Sequence, residues 1–220
     1  FAADVAHEIK NPLTSLRSAV ETVARVEDAE QQQQLMGIIK DDVSRLDRLI
    51  SDISDASRLD AELSRAESEP VDIATLLRML ADINNSSDAA GAPRIELDLP
   101  LHDNLSVIGL EGRLAQVLRN LIGNAASFSP EDGKIFISAR RDQGHIIIDV
   151  KDDGPGIPSG KEQAVFSRFY SERPEKEKFG THSGLGLSIS KQIVEAHRGS
   201  ITAENASTGG ALFIVRLPAS

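Results

Sequence analysis

Two absences narrow the range of functions open to this sequence. Its 220 residues include no cysteine, so the chain can form neither a disulfide framework nor a thiolate site, and it is compatible with a reducing cytosol. No apolar run approaches about 18 residues, which excludes a membrane-spanning helix within this stretch. Internal repeats are also absent, and only the charged stretch 171–178 is strongly biased in composition.

An excess of basic residues is missing as well. The chain has 24 Lys and Arg against 34 Asp and Glu, a formal net charge of −10. Residues 1–65 carry 8 basic and 13 acidic side chains and residues 66–220 carry 16 and 21, so each part has a net charge of −5. Because no basic face dominates either part, the charge distribution argues against direct binding of nucleic acid.

The chain does not begin with methionine, and it opens inside an amphipathic pattern. We therefore expect it to be a piece of a longer protein whose upstream part is a membrane sensor. With 40% hydrophobic and 26% charged residues it has the composition of an ordinary globular protein, and its length fits one large domain or two small ones.

Apolar side chains recur every three or four residues over the first 23 positions, which predicts an amphipathic helix. They are Val5, Ile9, Leu13, Leu16, Val20 and Val23. His7 lies about 160° from the centre of this stripe in helical projection, so it faces solvent together with Asn11. Glu8 lies at the edge of the stripe, beside His7. A single exposed histidine is more often solvated than reactive, so His7 alone does not establish a site.

Pro12 lies inside this predicted helix. There it removes the hydrogen bond to the Glu8 carbonyl, and we expect it to bend the helix beside His7. The alternative is that the helix begins at Pro12, but the apolar period runs through this position unbroken.

A second amphipathic helix is predicted over about 30–62. Its apolar side chains are Leu35, Ile39, Val43, Leu46, Ile50 and Ile53. A short polar turn at 26–29 joins the two helices in an antiparallel hairpin. Further apolar residues, Ile38, Leu49 and Leu59, widen this face beyond what one partner helix covers. Two copies of the chain are therefore expected to form a four-helix bundle.

After a short polar linker, the pattern changes from helical to mixed. Apolar alternation and helical periodicity predict the elements that follow. The predicted strands are 71–73, 95–99, 105–108, 134–140, 145–150, 200–205 and 211–217, and the predicted helices are 74–83, 111–127 and 184–197. We expect 105–108 to be the hairpin partner of 95–99. Mostly antiparallel strands with interspersed helices indicate an α/β two-layer sandwich.

Two asparagines, Asn120 and Asn124, lie one turn apart on the helix predicted over 111–127. Asparagine is unfavourable inside a helix, so the pair suggests a use. Carboxamide oxygens suit Mg²⁺, which keeps several waters and takes other ligands from nucleotide phosphates. A pair of satisfied surface amides is an equally good explanation when these residues are taken alone.

Asp152 directly follows a predicted strand, and Gly154 and Gly156 come two and four residues later. The glycines permit a tight turn that lets the backbone approach a ligand, and Asp152 can accept the amino hydrogens of an adenine. Many hairpins contain such a turn, so this signal is weak by itself.

Gly184, Leu185 and Gly186 open a predicted helix, whose N-terminal amide groups can bind phosphate. A flexible loop with a glycine N-cap is the alternative. The segment from Val165 to Lys178 begins with apolar residues and continues with charged ones. This pattern is typical of a lid over a polyphosphate or of a solvated loop.

In this order the motifs resemble those of the sensor histidine kinases of two-component signalling. The segment His7-Glu8-Ile9-Lys10-Asn11-Pro12 looks like the H box. Positions 120–124 resemble the N box, 152–156 the G1 box, 166–169 the F box and 184–186 the G2 box. The likeness covers nearly the whole chain, and the hairpin with residues 57–63 is similar to the ChvG-type sensors of alphaproteobacteria.

This resemblance implies a dimerisation and phosphoacceptor domain at 1–62, a linker at 63–69, and at 70–220 a catalytic domain of the GHKL (Bergerat) ATPase type. It also implies an ATP-dependent kinase that phosphorylates His7 and transfers the phosphoryl group to the receiver domain of a response regulator. Glu8 would assist His7, and Asn11 would support phosphatase activity on the regulator. The implied nucleotide-binding residues are Asn120, Asn124, Asp152, Gly154, Gly156, Arg168, Gly184, Leu185 and Gly186, with Mg²⁺ on Asn124. The kinase would act as a homodimer in the cytoplasmic portion of a membrane-anchored sensor.

The sequence departs from the family pattern in two places. Ser127 stands where many members have a basic residue that contacts phosphate, so a lid cation, Arg168, Arg173 or Lys178, is expected to replace it. Thr181-His182-Ser183 stands where another glycine is frequent, which would stiffen the lid. The remaining histidines, His102, His145 and His197, match no motif, and we expect them to be structural or solvated.

Two other functions share these features. A GHKL ATPase that drives conformational change would need its catalytic glutamate where Asn120 stands, which speaks against it. A degenerate scaffold that dimerises and docks a regulator would not need Asn124, Asp152 and Gly184 intact.

Overall fold

A computed structural model describes residues 2–86, 92–101, 103–170 and 184–220. The expectations for His102, Arg173, Lys178 and 181–183 lie outside these residues. The chain divides into two compact units. One comprises Phe1–Asp60 with Arg168–Gly186, and the other comprises Ala61–Ser167 with Leu187–Ser220.

Two long helices form the predicted hairpin, α1 (Ala2–Val23) and α2 (Ala29–Arg65). Helix α1 continues through Pro12, as the unbroken apolar period predicts. Asp28 caps α2, because its Oδ1 accepts hydrogen bonds from the backbone N–H groups of Glu30 at 2.9 Å and Gln31 at 3.0 Å. Helix α2 extends to Arg65, so the first three residues of the predicted linker are helical.

The predicted apolar stripes are only partly covered within one chain. Leu13 and Val20 of α1 are 48% and 47% exposed, and Val43 and Ile50 of α2 are 44% and 60% exposed. Pro12, Ala19 and Leu49 are buried instead. Large exposed apolar side chains at helical spacing are the pattern left when a helix face lacks a partner.

The described residues of the second unit form seven strands, three helices and a short 3₁₀ turn at Ala164–Phe166. In chain order the elements are β1 (Glu69–Asp72), α3 (Ile73–Asn85), β2 (Arg94–Asp98), β3 (Ser106–Gly109), α4 (Glu111–Phe128), β4 (Lys134–Asp142), β5 (His145–Lys151), α5 (Gly186–Ala196), β6 (Ser200–Asn205) and β7 (Ala211–Pro218). Helix α5 begins two residues later than predicted.

Five strands form the main sheet in the order β2-β4-β5-β7-β6, and β1 pairs with β3 in a separate two-stranded sheet. Strand β2 runs parallel to β4, and the other pairs are antiparallel. The predicted hairpin between 95–99 and 105–108 is therefore wrong, because Val107 of β3 lies opposite Val71 of β1. Alternation identifies a strand, whereas its partner is chosen by tertiary packing.

The helical layer and the sheet bury a common core, which confirms the predicted α/β sandwich. Leu77 of α3, Leu121 of α4 and Ile193 of α5 are fully buried, as are Ile135 and Ile146 of the sheet. Among the described residues, no helix combines the length and apolar character needed to cross a bilayer.

Two side chains fix the helix ends of this unit. Asp72 caps α3 through bonds from Ala74 N–H at 2.9 Å and the Thr75 hydroxyl at 2.7 Å, and the Thr75 contact holds the pKa of Asp72 below its usual range. His197 accepts from Leu110 N–H at 3.0 Å through Nε2, and its Nδ1 lies 2.7 Å from the Ile193 carbonyl. His197 therefore joins the end of α5 to the start of α4, which agrees with the expected structural role.

Candidate functional site

The histidine singled out by the sequence lies on the exposed side of α1. His7 and Asn11 are both exposed and are one helical turn apart, while the neighbouring Pro12 is buried. The predicted outward orientation of His7 is therefore confirmed. Both side chains are accessible to a ligand or a partner on the same face.

Glu8 is half-buried and is held by a residue that the sequence pattern did not identify. Arg45 of α2 donates from Nη2 to Glu8 Oε2 at 3.3 Å, and the two side chains are 19% and 23% exposed. Partial burial strengthens such a pair relative to one in water. Periodicity places an acid on one helix and a base on the other, but it does not set the register between them, so this contact could not be predicted.

Asp152 lies directly after β5 and is 2% exposed. Its Oδ1 accepts two backbone hydrogen bonds, from Gly154 N–H and Ala211 N–H, each at 2.9 Å. Burial raises the pKa of this carboxyl above its usual range, although the bonds from Ala211 and Gly154 act in the opposite direction. Within the described part of the chain Oδ2 has no hydrogen-bond partner, so it can accept a bond from a ligand.

The turn after Asp152 brings the backbone close to other elements, and glycine is required for that. A Cβ on Gly154 would lie 2.7 Å from the carbonyl oxygen of Phe128, the last residue of α4. Gly156 adopts a φ of +80°, which is costly for other residues. The predicted role of both glycines in a tight turn is thus confirmed, and the turn lies against the C-terminal end of α4.

Both asparagines of α4 are half-buried. Asn120 donates from Nδ2 to Ser190 Oγ at 3.2 Å, and Ser190 on α5 is fully buried. Asn124 lies one turn before Phe128, hence at the same end of α4 as the Gly154 turn. No side-chain hydrogen bond to Asn124 is found among the described residues, so its carboxamide oxygen can take a metal or water. Ser190 was not predicted, because a buried serine on an apolar helix face carries no signal in one sequence.

Gly184 and Leu185 immediately precede α5, and Gly186 is its first residue. Phe169 N–H donates to the Gly184 carbonyl at 2.9 Å, while Leu185 is 1% exposed and Arg168 is exposed. These residues cluster in the unit that contains the hairpin. Asn120, Asn124 and the Asp152 turn belong to the other unit, where the structure brings the α4 end and the turn together.

The side chains near Asn124 suit a metal ion that is coordinated mainly by water and a bound small molecule and only in small part by the protein. No group of three His, Asp or Glu side chains able to hold a metal ion occurs among the described residues. A single carboxamide at Asn124 fits Mg²⁺, since this ion keeps several waters and binds nucleotide phosphates. It does not fit an ion that needs a full set of protein ligands, such as structural zinc.

Comparison with known families matches both parts of the chain. Residues 1–62 match the His Kinase A (phospho-acceptor) domain, and residues 109–220 match the family described as histidine kinase-, DNA gyrase B- and HSP90-like ATPase. The second match covers the helix of the two asparagines, the Asp152 turn and the start of α5.

Similar proteins include sensor kinases from several bacteria. The sensor protein ChvG of Rhizobium meliloti is 49% identical over the whole chain, and the sensor protein kinase PmrB of Pseudomonas aeruginosa is 36% identical over 91% of it. The chain spans about 40% of the length of these curated relatives. The structure of the histidine kinase ThkA in complex with the response regulator protein TrrA is 27% identical, with a TM-score of 0.77, covering 100% of this chain and 61% of that one.

Proposed function

Because the chain belongs to the sensor histidine kinase family, with a phosphoacceptor domain followed by an ATPase domain of the gyrase B and HSP90 type, we propose that it autophosphorylates His7 with ATP. The phosphoryl group then passes to an aspartate in the receiver domain of a response regulator. The proposal rests on one structural observation. His7 is exposed on α1, and Arg45 holds the carboxylate of the adjacent Glu8 in place.

Asp152 recognises the adenine of ATP in this proposal. Its Oδ1 is saturated by two backbone N–H groups, so Oδ2 accepts the exocyclic amino hydrogen of adenine. Guanine presents a carbonyl oxygen at the equivalent position, and two acceptors facing each other in a buried site are unfavourable. The amide groups of Gly184, Leu185 and Gly186 at the start of α5 bind phosphate, and Arg168 supplies a positive charge that Ser127 lacks.

Asn124 would hold Mg²⁺ through its carboxamide oxygen, and Asn120 would act through a bound water. When bound, the ion neutralises negative charge on the β- and γ-phosphates. Ser190 restrains the amide of Asn120, because its hydroxyl accepts from Nδ2.

Phosphoryl transfer then depends on positioning and on the state of the His7 ring. A ring nitrogen without a proton attacks the γ-phosphorus, so an N–P bond forms while the bond to the ADP oxygen breaks. Glu8 accepts the hydrogen bond from the other ring nitrogen, which raises the nucleophilicity of the attacking one and stabilises the positive charge that develops.

The partner that covers the hairpin is a second copy of the chain. Val43 and Ile50 on α2, with Leu13 and Val20 on α1, leave an apolar face that a four-helix bundle would bury. A response regulator would dock on the His7 face, where Asn11 supports dephosphorylation of the regulator. We place the chain in the cytoplasmic portion of a membrane-anchored sensor, since the similar proteins are sensors of which it spans about 40%.

The test is incubation of the chain with γ-labelled ATP and Mg²⁺. The expected product is a labelled protein whose phosphoryl group is acid-labile and base-stable, as a phosphoramidate is. His7→Gln should abolish the label while ADP affinity is unchanged. Release of free phosphate without labelled protein would instead indicate an ATPase, and ATP binding without either product would indicate a scaffold.

A further inference from the structure

We infer that Asn205, the last residue of β6, is a positioning residue of the nucleotide site, an inference that rests on the proposed binding of adenine by Asp152. The carboxamide of Asn205 pairs with both backbone polar groups of Ile157. Its Oδ1 accepts from Ile157 N–H at 2.6 Å, and its Nδ2 donates to the Ile157 carbonyl at 2.8 Å. Ile157 is 8% exposed whereas Asn205 is exposed, so the two bonds join a buried backbone segment to the surface end of β6.

The end of the β6–β7 strand pair that carries Asn205 also holds the other side of the turn, at Asp152. Ala211 lies opposite Asn205 across the β6–β7 ladder. Its N–H donates to Asp152 Oδ1 at 2.9 Å, and its carbonyl accepts from Asp152 N–H at 3.0 Å. Gly210 approaches so closely that a Cβ there would lie 1.8 Å from the Asp152 carbonyl oxygen. The β6–β7 end therefore holds Asp152 at one side of the turn and Ile157 at the other.

This double attachment determines where the adenine-binding carboxylate lies. Between the two anchors lie Gly154, which contacts the end of α4, and Gly156, whose Cβ position would be 2.5 Å from Asn205 Oδ1. Without the Asn205 bonds, the hydrogen bonds that other elements make to the turn among the described residues lie at its Asp152 side, and small displacements of a binding group reduce affinity strongly. Asn205 therefore acts through the turn and does not itself contact the nucleotide.

The chain offers a closely matched control. Asn85 makes the same pair of bonds to another isoleucine: Ile95 N–H donates to its Oδ1 and its Nδ2 donates to the Ile95 carbonyl, each at 2.9 Å. Ile95 lies on β2, the strand at the opposite edge of the main sheet from β6. Asn85→Ala should therefore cost similar stability without disturbing the Asp152 turn.

The experiment compares Asn205→Ala, Asn85→Ala and the unaltered chain by thermal unfolding, ADP calorimetry and autophosphorylation kinetics. We expect similar falls in Tm for the two variants. Only Asn205→Ala should raise the Kd for ADP and the KM for ATP, by about tenfold, with kcat at saturating ATP changed less than twofold. Asn205→Asp keeps the acceptor but places a carboxylate oxygen against the Ile157 carbonyl, and it should also weaken ADP binding.

Unchanged ADP affinity in Asn205→Ala would overturn the inference, as would an equal loss in Asn85→Ala, which would point to general destabilisation. If Asn205→Ala does not fold, Asn205→Asp makes the same comparison with a side chain of equal size. Absence of label on the unaltered chain would contradict the proposed kinase function, whereas the calorimetric comparison would still decide the role of Asn205.

Discussion

Arg45 on α2 and Glu8 on α1 form an ion pair with 3.3 Å between Nη2 and Oε2, one residue away from the exposed His7. The pair joins the two helices of the hairpin and restrains the carboxylate beside the proposed phosphoacceptor. Glu8 is the residue that we propose to hold the His7 ring, so we expect Arg45 to affect phosphorylation through Glu8.

Arg45→Ala should slow autophosphorylation several-fold with unchanged ADP affinity, because Glu8 loses its orientation while the nucleotide site is intact. The initial rate of label incorporation at saturating ATP measures this. Arg48→Ala, an exposed arginine about one turn further along α2, is the control. Equal rates for the two variants and the unaltered chain would show that the ion pair only joins the helices.

Asn124→Ala should remove the Mg²⁺ dependence of nucleotide binding, because the ion loses its protein oxygen ligand. Calorimetry of ADP binding should then give the same weak affinity with Mg²⁺ and with EDTA, whereas the unaltered chain should bind more tightly with Mg²⁺. The measurements in EDTA serve as the control, since there the variant and the unaltered chain should agree. A retained Mg²⁺ effect would assign the metal to another residue.

Asp152 should make nucleotide binding sensitive to acid. Burial raises its pKa, so it takes up a proton at a higher pH than an ordinary aspartate and then no longer presents a free acceptor to adenine. The Kd for ADP should therefore rise as pH falls through this raised pKa. Asp152→Asn should bind weakly at every pH, and Asp153→Asn, which removes a smaller charge contribution to the raised pKa, should keep the pH dependence with its midpoint at a slightly lower pH.

The same shift has a consequence for stability. The pKa of Asp152 is higher in the folded chain than in the unfolded chain. The contribution of its protonated carboxyl to stability is therefore fully present below the unfolded-state pKa, and it is lost as pH rises through the folded-state pKa. At neutral pH the buried charge is unfavourable, and in Asp152→Asn the carboxamide oxygen can still accept the bonds from Gly154 and Ala211. We expect this variant to unfold at the same or a higher temperature at neutral pH. A large fall in Tm would show that the charged form of Asp152 does not destabilise the folded chain at neutral pH.

Ile50→Glu should convert a dimer to a monomer, because it introduces a charge into the apolar face that we propose the second copy covers. Ile50 is 60% exposed in the single chain, so the substitution should leave the hairpin itself folded. Sedimentation at micromolar concentration measures the change, with Ser51→Glu on the neighbouring exposed position as control. A monomeric unaltered chain would refute the proposed dimer directly.

Asn11→Ala should keep phosphorylation of His7 but slow dephosphorylation of the regulator at least several-fold. Its carboxamide lies one turn from His7 on the same exposed face, where it can orient a water for in-line attack on a phospho-aspartate. Decay of phosphorylated regulator with added protein and ADP is the measurement. Ser18→Ala, an exposed change two turns along, should leave the decay rate unaltered.

Most elements could be predicted from the sequence because their signals are local. The apolar period identified α1 through Pro12 and the outward position of His7. Alternation and turn residues located the strands to within a few residues, and the spacing of Asp152, Gly154 and Gly156 indicated a tight turn. Each of these features depends on residues within one or two turns of chain, where side-chain periodicity reports directly on burial.

Pairings between distant residues required the tertiary structure. Strand β3 pairs with β1 and not with β2, although 95–99 and 105–108 are neighbours in the chain. The bonds from Arg45 to Glu8, from Asn205 to Ile157 and from Ala211 to Asp152 span 37, 48 and 59 residues. By itself the sequence determined the periodic apolar face of most helices and strands, although Leu13, Val20 and Ile50 lie on such a face and are exposed in the single chain. Only the packed structure decided which side chains meet, because register between elements depends on the fit of whole faces and not on local periodicity.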